Sequence, residues 1–310
     1  MILKFRFLRK KLKPMEIFKN KNIEVKGKHG KPILTDVIFR NDGALKPVVI
    51  FCHGYKGFKD WGPWEKMAEQ FAEEDFLFVK FNFSHNGTTP GDPLSFMDIE
   101  AFGENNYIKE LDDLQSLLDW LLHPDFEYEE QLDPSRINLI GHSRGGGIAA
   151  IKASEELRIS RLVTLSAVSD FASRFPDPET IEKWKDKGVS YIVNTRTGQQ
   201  LPHHFQFYTN FQEHEERLTI SRAVKELKIP HLIVHGSNDT SVPISDSGNL
   251  FEWSPFPELL LVESADHVYG TSHPWEKEDL PVEFQYVLDR TLAFLKEEKE
   301  KLTGNKEIAG

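Results

Sequence analysis

The sequence predicts an α/β protein: a mostly parallel, twisted sheet with helices on both faces and one inserted cap. Three observations lead there. Short, nearly continuous apolar runs, such as Pro47 to Cys52, read as parallel strands covered on both faces. These runs alternate with stretches of helical spacing, the pattern of strands joined by crossover helices. One stretch, 170–222, breaks the alternation with Phe171, Phe175, Trp184, Tyr191, Phe205, Phe207, Tyr208 and Phe211 scattered among charges. It is too long for a structureless loop in a compact α/β unit, so it reads as an inserted, irregular cap.

The elements follow in order. Residues 1–21 form a basic N-terminal extension, and the first part of the core spans 22–169. Asn22 to Lys28 and Pro32 to Arg40 are strand-like and make a hairpin around His29-Gly30. After the buried strand ending at Cys52, the loop His53-Gly54-Tyr55-Lys56-Gly57 leads to a helix, Trp64 to Glu74, with apolar positions at Trp64, Met67, Ala68 and Phe71. Phe76 to Phe83 is a buried strand whose polar C-terminal turn carries His85, at the edge where open parallel sheets place ligands. Glu104 to Leu122 is an amphipathic helix that Pro124 ends. The second part of the core, 223–299, holds a strand ending at Gly236, a helix near Ser245 to Phe251, a strand at Glu258 to Val262 and a closing helix from Pro281. A charged tail, 300–310, is expected to fray into solvent.

Composition excludes several function classes. The chain has 310 residues, 39% of them hydrophobic and 28% charged, which is ordinary for a soluble globular protein. A net charge of −11 argues against a nucleic-acid binder, which needs a dense basic surface. The single cysteine, Cys52, allows no intrachain disulfide and suits a reducing, cytoplasmic setting. Charges interrupt every apolar run in residues 1–13, so no secretory signal is expected, and Met15 is an alternative start. No stretch is apolar for long enough to span a membrane.

The chemistry centres on Ile137 to Ala150. A short apolar strand stops at Gly141-His142-Ser143-Arg144-Gly145, and a helix rich in Ala and Ile resumes from Ile148. A serine on so tight a strand-to-helix turn exposes its hydroxyl above a helix N-terminus, where a developing oxyanion is favoured. A serine hydroxyl needs a general base, and the base needs a carboxylate to orient it. Of twelve histidines, His267 lies in a loop between the last strand and the last helix, which delivers it to the sheet edge where Ser143 sits. His53 and His142 are better placed to brace loops; His85, then His203 or His204, are the substitutes. For the carboxylate, Asp239 follows the strand ending at Gly236, with Asp170 as its rival and Asp266 as a solvated loop acid.

The G-x-S-x-G elbow, the His53-Gly54-Tyr55 loop, the run Gly236 to Pro243 and the final histidine loop together resemble the α/β-hydrolase family, whose chain order is Ser, acid, His. The resemblance covers roughly Asn22 to Lys299 outside the cap, and is nearest to small serine carboxylesterases of the cinnamoyl-esterase and dienelactone-hydrolase branch. It implies the α/β-hydrolase fold, catalysis by Ser143, Asp239 and His267, and an oxyanion hole of the Tyr55 and Arg144 N–H groups. It implies hydrolysis of a small-molecule ester or thioester, without metal or other cofactor. The alternatives are a cofactor-free lyase or perhydrolase on the same residues, and a silent binding protein of this fold. Trp61, His85 and Tyr208 are candidate substrate contacts. The Arg144 side chain has two readings: a structural ion pair, or contact with an anionic part of the substrate.

Overall fold

The computed structural model describes residues 16–297 and 307–309. In chain order the elements are β1 (Ile17–Lys26), β2 (Pro32–Arg40), β3 (Lys46–Cys52), α1 (Trp64–Glu73), β4 (Leu77–Asn82), α2 (Ile99–Glu104), α3 (Tyr107–Leu121), β5 (Leu132–His142), α4 (Arg144–Glu155) and β6 (Ile159–Leu165). Then come α5 (Pro178–Lys187), β7 (Val189–Val193), β8 (Gln200–His204), α6 (Gln206–Glu213), α7 (Glu215–Leu218) and α8 (Ile220–Lys225). The last are β9 (His231–Gly236), α9 (Ile244–Trp253), β10 (Pro257–Val262), α10 (Val282–Lys296) and β11 (Glu307–Ala309).

The main sheet runs β1-β2-β4-β3-β5-β6-β9-β10-β11. Only the β1–β2 and β2–β4 pairs are antiparallel; every pairing from β4–β3 to β10–β11 is parallel. The central strands are buried along their length because both faces are covered. One face packs Val49, Phe51 and Ile140 against Trp64 and Phe71 of α1 and Phe284 and Leu288 of α10. The other packs Val48, Ile50 and Leu139 with Leu114 and Leu118 of α3, Ile148 of α4 and Val224 of α8. Each such side chain contributes about 1.5–3 kcal/mol by leaving water.

Several helices start where the sequence offers a cap. Asp98 accepts from the Ala101 N–H at 3.0 Å and begins α2, and Asn106 accepts from the Lys109 N–H at 2.9 Å and begins α3. In α5, Asp177 caps the Thr180 N–H, Pro178 fills the first turn and Gly188 closes the helix at φ 71°.

Four expectations are corrected. β1 begins at Ile17, so the extension read as 1–21 gives up its last residues to the sheet; residues 1–15, Met15 included, lie outside the described residues. Within the tail read as 300–310, Glu307–Ala309 pairs with β10 instead of fraying, and the rest lies outside the described residues. The stretch 170–222 is largely regular: α5, α6 and α7 with an antiparallel β7–β8 hairpin separate from the main sheet. Its boundary at 222 falls inside α8, which packs on α4 and α9 of the core. The helix expected over Glu104 to Leu122 begins instead at Tyr107 as α3, because Asn105 and Asn106 are extended and Asn106 opens a new cap; Glu104 is the last residue of α2, a separate helix.

A sealed ionic network lies beside the loop after β3. Asp36 of β2 and Lys80 of β4 are register partners, and neither is exposed. Lys80 Nζ is 2.8 Å from Asp36 and 2.9 Å from Glu65, and it also bonds Asp60. Lys59 Nζ bridges Asp36 at 2.9 Å and Asp60 at 2.5 Å. Burial disfavours the Lys80 ammonium, but the three carboxylates outweigh it and hold its pKa above the ordinary value.

Candidate active site

Ser143 stands between β5 and α4 at φ 56° and ψ −122°, a strained backbone for a residue with a side chain. Its N–H donates to the Leu165 carbonyl at 2.9 Å, and its own carbonyl accepts from Gly146 N–H at 3.0 Å. The glycines around it are required by close approach. A Cβ at Gly141 would stand 2.4 Å from the Gly145 carbonyl oxygen, and one at Gly145 would stand 2.4 Å from the Cys52 and His53 carbonyl oxygens. A Cβ at Gly54 would meet that of Ser143 at 2.9 Å, so the loop after β3 lies directly against the elbow.

At the ends of β9 and β10, His267 Nδ1 is 2.7 Å from Asp239 Oδ2. The Asp239 side chain is fully buried and also accepts from the N–H groups of Ser241 and Val242 at 2.8 and 2.9 Å. Burial pushes its pKa up, but the hydrogen bonds from His235, His267 and Val242 prevail and hold it well below the usual carboxylate range. An ionised Asp239 fixes the proton of His267 on Nδ1 and leaves Nε2 as the basic nitrogen.

The loop histidines brace, as their place in the motifs suggests. His142 is paired through Nε2 with the His267 carbonyl at 3.0 Å, and burial, then the neighbouring His267, lower its pKa to about 3. His53 Nδ1 donates to the Gly54 carbonyl at 2.9 Å and Nε2 faces the Phe83 N–H at 3.4 Å. Its pKa is lowered to about 4, chiefly by burial.

Ser143 and His267 border one cavity of about 1030 Å³, roofed by the segment after β6 through residues such as Thr180, Ile192 and His203. Tyr55 and Arg144 line it too. The Tyr55 hydroxyl bonds His203 Nε2 at 2.5 Å, tying the loop after β3 to the roof. The Arg144 guanidinium lies 4.0 Å from the Tyr55 ring centroid and 3.4 Å from Glu110 Oε1 of α3. Of the two readings of Arg144, the geometry has the ion pair.

The candidate substrate contacts divide. Trp61 borders the cavity and stacks on His273, with ring centroids 6.2 Å apart. His85 does not reach it: its Nδ1 meets Ser84 Oγ at 2.8 Å and its ring faces His29, because the β4 turn folds back toward the β1–β2 hairpin. Tyr208 also packs elsewhere, against Phe175 and Phe205, as part of the segment's own aromatic cluster. Asp170, the rival acid, is exposed and accepts from the Ala172 and Ser173 N–H groups. Asp266 is likewise a loop acid, accepting from Val268 and Gly270.

Sequence reasoning missed His235, whose Nε2 is 3.4 Å from Asp239 Oδ2. Its spacing four residues before the acid, at a strand end, was the available signal. It also missed a grouping with metal-ligand spacing that arises only in space: Glu100 and Glu104 of α2 with His204 of β8. There His204 Nδ1 bonds Glu104 at 2.5 Å and so joins the roof to α2.

A strained serine at a strand-to-helix elbow, beside a histidine–aspartate pair at the carboxyl edge of a parallel sheet, defines a hydrolase architecture. The chain belongs to the alpha/beta hydrolase fold family, whose model matches residues 47–221. Among solved structures it is similar to Est1E from Butyrivibrio proteoclasticus with ferulic acid bound, at 18% identity and a TM-score of 0.65, over 88% of this chain and 97% of that one. It is also similar to a putative dienelactone hydrolase from Klebsiella pneumoniae, at 13% identity and a TM-score of 0.58, over 91% of this chain and all of that one. At these identities the likeness is one of fold. An uncharacterized 31.7 kDa protein of the traX-finO intergenic region of Escherichia coli is 27% identical over 130 residues, 42% of this chain. That match spans only 40% of the Escherichia coli protein. No helix among the described residues is long and apolar enough to cross a membrane.

Proposed function

We propose that the chain is a serine hydrolase that cleaves a carboxylic ester or thioester through an acyl-enzyme. The observation that carries this is the 2.7 Å pairing of His267 with the buried Asp239, beside a cavity that Ser143 also borders. Ser143 Oγ attacks the acyl carbon as its proton passes to His267 Nε2, and Asp239 stabilises the imidazolium. The tetrahedral oxyanion is met by the N–H groups of Tyr55 and Arg144, helped by the N-terminus of α4; one such donor contributes about 3–4 kcal/mol to transition-state stabilisation. Collapse breaks the bond to the alcohol or thiol, which leaves with the proton from Nε2. Water then gives its proton to Nε2 and attacks the acyl carbon, releasing the acid and restoring Ser143.

The glycine contacts at 54, 141 and 145 support this reading, since they hold the loop after β3 against the elbow. The segment from Asp170 to the start of α8 acts as the cap that excludes water. One of the similar structures holds ferulic acid, a carboxylic acid, which agrees with a site that releases such a product.

A fluorophosphonate probe should label the wild type and not Ser143→Ala, and p-nitrophenyl ester turnover should fall by a factor of about 10⁴ or more in that variant. A wild type that neither labels nor hydrolyses any ester of the series removes the proposal.

A further inference from the structure

The cavity is charged against the rest of the molecule. The chain carries a net −11, yet Lys56, Arg144, Arg174 and Arg196 line the cavity and no aspartate or glutamate does. Two of these cations are committed: Arg144 to Glu110, and Arg174 to Asp246 at 2.8 Å. Lys56 and Arg196 have no carboxylate partner among the described residues. Lys56 faces the Tyr55 ring, and the Arg196 guanidinium sits 5.9 Å from the Phe58 ring centroid.

Nothing else in the lining neutralises them. Burial holds the Tyr55 phenol well above its usual value, so it stays uncharged. His203 is kept neutral, its pKa lowered to about 3 by burial and then by Arg144, His204 and Lys56. Burial alone lowers the pKa of the half-buried Lys56 ammonium, a cost that a bound anion would offset. Trp61, Trp64, Phe171 and Phe207 supply apolar wall between the cations.

Resting on the ester-hydrolase reading, we propose that the substrate is an ester with an apolar body and a second, free carboxylate, which Lys56 and Arg196 hold while Ser143 attacks the ester carbonyl. Arg196 presents the planar fork that matches a carboxylate, and Lys56 adds a point charge. A half-ester of a dicarboxylic acid has this chemistry.

The test has a binding arm and a turnover arm. In Ser143→Ala, tryptophan fluorescence should report monomethyl glutarate binding at least tenfold more tightly than methyl butyrate, since Trp61, Trp64 and Trp184 line the cavity. That ratio should shrink at high salt. It should collapse in Ser143→Ala carrying Arg196→Gln, and equally with Lys56→Asn, a change that suits the left-handed backbone at φ 56°. In the wild type, kcat/KM for the mono-p-nitrophenyl ester of glutaric acid should exceed that for p-nitrophenyl butyrate at least tenfold. Equal binding of the two ligands, or a preference that both charge removals leave untouched, overturns the proposal while fluorophosphonate labelling keeps the hydrolase reading intact. Absence of labelling in the wild type overturns the hydrolase reading and this substrate assignment with it.

Discussion

Asp239 and Asp36 are both wholly buried carboxylates with cationic or cation-forming partners, yet they sit in opposite circumstances. Asp36 is closed in by Lys59 and Lys80, whose ammonium groups share Asp60 and leave nothing over for a visitor. Asp239 holds one nitrogen of His267 and leaves the other basic, on a ring that borders the cavity. A buried charge pair with every valence used is architecture. The same pair becomes chemistry when one partner has two faces and the second is left open.

The largest expected effect breaks the open pair. Asp239→Asn should keep the fold but lower kcat for ester hydrolysis by about 10⁴, near 5 kcal/mol, because the amide no longer enforces the Nδ1 tautomer. A loss below tenfold would mean that Asp239 is not the orienting acid. In the sealed network, Lys80→Met should instead cost about 3–5 kcal/mol of stability in urea unfolding, by leaving Asp36 and Glu65 undercompensated. Its ester kcat, measured on the folded fraction, should change far less than in Asp239→Asn; the reverse pattern would erase the distinction between the two sites.

A third buried carboxylate sharpens the comparison because, among the described residues, it forms no ion pair, Lys109 one turn earlier on α3 being its nearest cation by sequence. Asp113 accepts the Ser84 N–H at 2.7 Å, and burial raises its pKa from 3.8 to about 7. The folded state therefore binds a proton that the unfolded state has lost above pH 4. Stability from this group is present below about pH 4 and is lost as pH rises toward 7. Asp113→Asn keeps an acceptor for Ser84 and should gain about 4 kcal/mol relative to wild type at pH 8 and little at pH 4. An equal difference at both values would show that Asp113 does not carry the proton. The smallest effect is expected at the seam between core and roof. Tyr55→Phe removes the bond to His203 and should lower kcat/KM about three- to tenfold, with stability reduced by about 1 kcal/mol. No change in either quantity would mean that the seam is held by ring contacts alone.

The floor of the candidate site was legible because its parts are short and bound by backbone geometry. Gly141, Gly145 and Gly54 are dictated by contacts that no other residue allows, and Asp239 and His267 follow strands whose apolar runs are unmistakable. The roof was not legible, since its aromatics follow the shape of the surface beneath them. Phe171 stacks on Tyr107 of α3 at 3.9 Å, and Phe207 packs on the same ring together with Phe211, so the helical period among these three is one short i, i+4 pair on α6. Tyr208 and His85 were misread for that reason: each lies near the right edge in sequence, but packing turns it away. The lysine network carried an overlooked signal, a lone Asp36 and a lone Lys80 inside strands that are otherwise buried and largely apolar.

His142 has one more consequence. It immediately precedes Ser143, and its ring grips the carbonyl of His267, a residue 125 positions further along the chain. Ser143 and His267 are therefore linked through a side chain lodged in the elbow itself. Grafting a foreign final loop onto this scaffold would succeed or fail on whether its backbone offers that ring a carbonyl at the same height.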